Sequence, residues 1–205
     1  MLNATKEYLM NKKTLLDNLY AKYAFCTTEN QFYIPGARAY VPGYGNPDSN
    51  IVLIGEAPGQ EEEFTQKPFQ GRSGQLLRYE LQQYNLNDSN LFITNVVKFR
   101  PPQNRKPTRE EILLHSVPLQ EEIEIIKPQF IILVGATALS VFFNQADQTI
   151  GRLQGKVQKH PEFSYYFFPL YHPAYILRNM NALPIFQSNI KYIASYIKDT
   201  QNKIN

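Results

Sequence analysis

The stretch GEAPGQEEEF (55–64) follows the apolar run IVLI (51–54). A surface turn needs glycine or proline. This one has both, and it carries four carboxylates: Glu56, Glu61, Glu62 and Glu63. Gly55 and Gly59 let the backbone turn sharply and approach a ligand closely. The carboxylates can orient a water or hold the edge of a base. Phe69, between Pro68 and Gly71, offers a flat face from a loop. A solvated acidic turn with Phe69 plugging the core accounts for the same residues. In TNVVKFRPPQNRKPT (94–108), Asn95 lies within an apolar run. A buried amide must find partners for both its carbonyl and its amino group. Either neighbouring backbone supplies them, or the amide reads a planar heterocycle with one donor and one acceptor. Lys98, Arg100, Arg105 and Lys106 then form either a solvated basic loop or a loop that tracks phosphates. In YHPAYILRN (171–179), His172 precedes a proline and Leu177-Arg178 follows.

The elements that must position these residues alternate between strand and helix. Residues 3–23 have helical spacing, and 24–50 are irregular, broken by Pro35-Gly36, Pro42-Gly43 and Asn46-Pro47. Strands are expected at 51–54, 91–97, 130–135 and 165–173, and helices at 73–86, 108–126, 136–143 and 185–200. Thr108 and Glu111 have capping-box spacing, and Pro118 is expected to kink or split the helix they start. The fold class is α/β: three layers, α/β/α, around a four-stranded, mainly parallel sheet. The whole chain, 1–205, reads as one domain, with residues 1–50 as an N-terminal segment and 51–200 as the core. Ligands of such sheets bind beyond the carboxyl ends of the strands. The acidic turn, the basic loop and the histidine all fall there. A ring, an amide, a histidine and carboxylates beside basic loops suit a nucleotide flipped out of its stack.

Composition constrains the rest. Of the 205 residues, 43% are hydrophobic and 19% charged, ordinary for a globular chain, and the net charge of +3 is compatible with nucleic acid. The single cysteine excludes an internal disulfide and suits a reducing cytoplasm. No run reaches the ~18 apolar residues of a membrane helix, and the N-terminal residues do not read as a secretory signal. There is no P-loop and no nucleophile elbow.

The motifs GEAPG followed by Glu62-Glu63, KPFQGRSGQLL (67–77), TNVVKFRPPQNRKPT (94–108), KPQFIILVGATAL (127–139) and HPAYILR (172–178) resemble, in order, those of the uracil-DNA glycosylase superfamily. The nearest resemblance is to its family-4, iron–sulfur type. It runs from about Val41 to the C-terminal helix. It implies hydrolysis of the N-glycosidic bond of deoxyuridine in DNA by base flipping, leaving an abasic site for base excision repair. By the same resemblance, Phe69 stacks on the uracil, Asn95 bonds its O4 and N3–H edge, His172 holds O2, and Glu62 stands at the C5 side. Gly55, Glu56, Ala57, Pro58 and Gly59 line the base and the attacking water. Leu177 and Arg178 enter the duplex, and Ser73, Lys98, Arg100, Asn104 and Arg105 join them as DNA contacts. The better-known enzymes of the superfamily have Asp where Ala57 stands, which leaves Glu56 and Glu62 as candidates to orient the water. The partner is uracil-containing DNA, no membrane is involved, and the chain is expected to act as a monomer.

The chain departs from the family at the cluster. Family-4 enzymes hold a 4Fe–4S cluster on four cysteines. Here Phe99 stands where the family has the cysteine of KCRPP, and His115 stands at the next. The other two fall near Thr28 and Gln31, with only Cys26 nearby. One cysteine cannot ligate a cluster, so no cofactor and no metal are expected. Three other readings stay open: a uracil-DNA-binding relative without turnover, a glycosylase for another deaminated or mismatched base, and a nucleoside hydrolase.

Overall fold

A computed structural model describes residues 11–25, 27–143 and 148–204. Residues 3–10 of the expected first helix, and Cys26, lie outside them. Helix α1 (Lys12–Tyr23) starts where the Asn11 side chain accepts the Thr14 N–H at 2.9 Å, satisfying one of the orphan donors of a first turn. After it come β1 (Tyr44–Gly45), β2 (Ile51–Gly55), α2 (Gln60–Thr65), α3 (Arg72–Gln82) and β3 (Phe92–Asn95). The second half is α4 (Arg109–Ile126), β4 (Phe130–Val134), α5 (Ala136–Phe142), α6 (Ile150–Leu153), β5 (Gln158–His160), β6 (Phe163–Leu170), α7 (Pro173–Arg178) and α8 (Leu183–Ile204).

One sheet runs in the order β1-β3-β2-β4-β6-β5. The four expected strands are its parallel centre, and β1 and β5 pair antiparallel at the edges, so it has six strands and not four. The edge strands carry little sequence signal: one is Tyr-Gly and the other Gln-Lys-His. Every residue of β2 and β4 is buried. Val52, Ile54, Ile131 and Leu133 face α1, α4 and α5. Ile51, Leu53, Ile132 and Val134 face α3 and α8. Alternation across the pleat therefore gives two apolar cores, one on each side, and the expected three layers.

Helix α4 carries the expected capping box: Glu111 N–H donates to Thr108 Oγ1 at 3.2 Å, and Thr108 N–H to Glu111 Oε2 at 2.7 Å. Pro118 does not split it in two; α4 is one helix of 18 residues. Proline removes one N–H, whose partner would be the carbonyl of residue 114. Leu113, Leu114 and Val117 are exposed, so that turn lies on the wet side, where water can replace the bond. The opposite side of α4 holds a buried ionic group. Glu122 accepts Lys98 Nζ at 2.6 Å and the Thr94 hydroxyl at 2.8 Å on one oxygen, and the Tyr20 hydroxyl at 2.6 Å on the other. One carboxylate thus ties β3 and its following loop to α4 and α1.

The cluster positions are occupied by a different kind of contact. The Phe99 ring is fully buried and meets Tyr33 and Tyr40 edge-on, with centroids 5.6 and 5.3 Å away. His115 is also buried, and both its nitrogens are engaged: Nδ1 accepts the Lys98 N–H at 3.4 Å, and Nε2 stands 2.9 Å from the Phe32 carbonyl. Thr28 and Gln31 are exposed. A phenyl ring offers no ligand, and the imidazole is already spent on backbone, so these residues do not fit an iron–sulfur cluster. Burial lowers the His115 pKa to about 4, from 6.5. An unfolded chain binds that proton near pH 6.5 and the folded one only near 4, so stability falls as pH drops through this window. The span is worth about 3 kcal/mol. Urea midpoints at pH 7.5, 6 and 4.5 are expected to decline along this slope in wild type. His115→Leu, although less stable at pH 7.5, loses that part of the slope.

Candidate active site

Parallel pairing brings Gly55 opposite Asn95 and Val134 opposite Leu170, so the chain leaves β2, β3, β4 and β6 along one edge. Behind that edge lies a cleft of about 730 Å³, within the ~300–1,000 Å³ typical of small-ligand sites. Its walls include Glu56, Phe69, Asn95, His172 and Leu177. A Cβ on Gly55 would stand 2.3 Å from Asn95 Oδ1 and 2.6 Å from the Phe69 ring. Only glycine fits there, and the amide and the ring converge on it. A Cβ on Gly135 would meet the Cβ of His172 at 3.1 Å, and Gly135 also has φ +92°. That turn lets β4 end directly beneath the histidine.

Asn95 is buried at 4% exposure, yet among the described residues no protein group hydrogen-bonds its side-chain amide. Its carbonyl and amino groups are open to the cleft, so neighbouring backbone does not supply their partners. His172 is half-buried. Its Nδ1 accepts the Ala174 N–H at 3.2 Å, which places the proton of the neutral ring on Nε2. Burial lowers its pKa, against an opposing pull from Glu56, and Arg178 adds to the lowering. The site therefore holds a neutral imidazole with one N–H to give. Glu56 is half-buried, and one of its oxygens accepts the Thr137 hydroxyl.

Phe69 has φ +57°, a left-handed backbone that costs a bulky residue roughly 1–3 kcal/mol. Two side chains hold it. Glu62 accepts the N–H groups of Gln70 and Gly71 at 2.9 Å each on Oε1, and that of Gly59 at 3.0 Å on Oε2. Arg78 donates to the Phe69 carbonyl at 3.0 Å and the Pro68 carbonyl at 3.1 Å, and pairs with Asp88. The Glu62 carboxylate is thus a brace between the two loops. Glu62 lines the cleft as well, with its carboxylate bonded to three backbone donors.

The basic loop also differs from expectation. Lys98 is no DNA contact: its side chain is wholly buried against Glu122 and cannot reach a phosphate. Arg100 bonds Glu63 at 3.2 Å and Asn104 at 2.7 Å. Arg105 forms a fork with Glu111 at 2.6 and 2.8 Å. Asn104, Arg105 and Ser73 do reach the cleft, as does Arg72, whose motif was noted in the sequence without its guanidinium. Leu177 and Arg178 are exposed at the end of α7, an apolar side chain and a cation at the mouth of the cleft. Thr137 and Arg78 were also missed, since each works through a partner distant in sequence.

The family model described as the uracil DNA glycosylase superfamily matches residues 42–201. The chain belongs to the uracil-DNA glycosylase superfamily. Its relatives include a type-4 uracil-DNA glycosylase of Thermotoga maritima, 41% identical over 148 residues, covering 68% of this chain and 72% of that one. That of Sulfurisphaera tokodaii is 38% identical over 159 residues, 75% and 72% of the two chains. That of Saccharolobus solfataricus is 42% identical over 145 residues, 68% and 67%. Within this superfamily member the Glu62 brace makes a specific demand. Glu62→Gln turns one acceptor oxygen into a donor facing N–H groups and removes the charge. The expected loss is about 1.5–3 kcal/mol of stability, as for hydrogen bonds to charged groups, read as a lower urea midpoint. An unchanged midpoint would show that the two loops hold without the carboxylate.

Proposed function

We propose that the chain is a monofunctional uracil-DNA glycosylase that hydrolyses the N-glycosidic bond of deoxyuridine in DNA. The observation that carries the reading is the unpartnered, buried Asn95 amide beside the Phe69 ring and the His172 Nε2–H. Uracil presents O4 as an acceptor and N3–H as a donor, the complement of one side-chain amide. Phe69 supplies a stacking face, worth about 1–3 kcal/mol for a base. As the C1′–N1 bond breaks, its electron pair goes to the uracil, and charge gathers on O2. The His172 N–H donates there, and a preorganised donor of this kind is worth roughly 3–4 kcal/mol in the transition state. Water adds to C1′ of the cationic sugar, oriented by Glu56, which takes its proton. Uracil anion and an abasic site are the products.

The Glu62 brace leaves Glu56 as the carboxylate for the water. Leu177 and Arg178 fill the stack left by the extruded nucleotide, while Arg72, Ser73, Asn104 and Arg105 flank the strand. We infer further that the protein works without a 4Fe–4S cluster, as a monomer, in the cytoplasm. One cysteine in the chain and a phenyl ring at a ligand position support the first. Among the described residues no helix is long and apolar enough to cross a membrane.

Oligonucleotides with one deoxyuridine, single-stranded or opposite A or G, test the reading after alkali treatment of abasic sites. Wild type is expected to cut at uracil and not at thymine. Asn95→Ala and His172→Ala should each lose at least about 100-fold, the scale of one oxyanion-type donor. Iron and sulfide analysis of the same preparation should find neither, with no absorbance band near 400 nm. Tight binding of uracil-DNA without an abasic product would make the chain a binding relative, and cleavage confined to another damaged base would reassign its substrate.

A further inference from the structure

The hydroxyl of Thr137 serves no obvious structural need. It sits at the second position of α5, wholly buried at 1% exposure, where no preceding turn of helix offers it a carbonyl. Instead it crosses from the end of β4 to the end of β2 and donates to a carboxylate oxygen of Glu56, 81 residues away. Glu56 is half-buried and shares the cleft with His172 and Asn95. No other side chain among the described residues hydrogen-bonds its carboxylate.

We propose that Thr137 is a positioning residue for the reaction, fixing Glu56 by one oxygen so that the other faces the attacking water. The proposal rests on the assignment of Glu56 to the water. Ala57 offers no carboxylate at the position used by the better-known enzymes of the superfamily, so Glu56 must reach the water on a longer, freer side chain. A glutamate side chain surrenders much rotamer freedom when fixed. A hydroxyl held on a rigid helix makes that loss before substrate arrives, as preorganisation requires. The Gly135 turn makes the placement possible: its positive φ starts α5 beneath His172, which puts the second residue of the helix under Glu56. Three neighbouring strand ends then contribute one group each: Glu56 after β2, Thr137 after β4 and His172 after β6.

The test compares Thr137→Val, which keeps the shape and removes the donor, with Thr137→Ser, which keeps the donor. Single-turnover cleavage of a deoxyuridine oligonucleotide gives the chemical rate. Fluorescence anisotropy gives Kd for the same oligonucleotide. Thr137→Val is expected to slow cleavage roughly 10–100-fold, the scale of one hydrogen bond to a charged group. Its Kd should stay within about 3-fold of wild type, and Thr137→Ser should recover most of the rate. Glu56→Gln should be slow, and adding Thr137→Val to it should cost little more, as expected of residues acting as a unit. Wild-type rates in Thr137→Val, or equal losses in the Val and Ser variants, would overturn the positioning role. A fast Glu56→Gln would overturn the assignment of Glu56, and with it the proposal. A folded wild type that cleaves nothing would overturn the whole reading of the site, a result distinct from either.

Discussion

The pairing of four parallel strands is the constraint on which the molecule depends. Parallel strands need crossovers, and here the crossovers cover both faces of the sheet, so the central strands β2 and β4 are apolar throughout. Chemistry can enter only where the chain leaves the sheet. The register Gly55↔Asn95 then decides which residues meet, because it sets the end of β2 against the end of β3. A slip of one residue would turn Asn95 to the other face of the sheet and put a side chain where Gly55 now gives way to the Phe69 ring. The apolar cores thus specify the site indirectly: they fix the register, and the register fixes the amide.

Much of the charge in this chain works inside the protein. Glu62 spends its carboxylate on three backbone N–H groups, and Arg78 spends its guanidinium on two carbonyls and Asp88. Between them they hold Phe69 in a backbone conformation that a bulky residue avoids. The strain sits at the ring proposed to stack on the base, where a fixed face matters most. Lys98 with Glu122, Arg100 with Glu63 and Arg105 with Glu111 follow the same pattern. The loop after β3 is basic in sequence but largely neutralised in structure. Under the proposed function, the positive charge that meets DNA comes from cations lining the cleft such as Arg72 and Arg178.

The legible features were those whose signal is local. Runs such as IVLI and FIILV announce buried strands, Thr108 with Glu111 announces a helix start, and the glycine-rich strand ends announce the ligand edge. Phe69, Asn95 and His172, which line one cleft, stood out because a ring, an amide in an apolar run and a histidine fell on that one edge. What was not legible depends on partners far apart in the chain. Nothing near Glu62 in sequence says that it reaches Gln70 and Gly71, and nothing near Lys98 says that Glu122 waits on α4. The short edge strands β1 and β5 lack any apolar pattern, since one is two residues long and the other polar. Pro118 misled for a related reason: its cost depends on whether water reaches the carbonyl it leaves free.

The region around Phe99 shows how one structural task can be met by different chemistry. A metal cluster ties distant segments through strong bonds to four ligands. Here the segment around Phe32 and Tyr33, the loop after β3 and helix α4 are tied by ring contacts and by one imidazole bonded to two backbone groups. Each contact is weak, about 0.5–1.5 kcal/mol for an aromatic pair or a neutral hydrogen bond. Their number and burial must replace the strength of ligand bonds. Such a tie needs no iron and no redox control, but it keeps a neutral histidine in the core. That histidine makes the tie sensitive to pH, and none of Phe32, Tyr33, Phe99 and His115 lines the cleft that holds Phe69, Asn95 and His172.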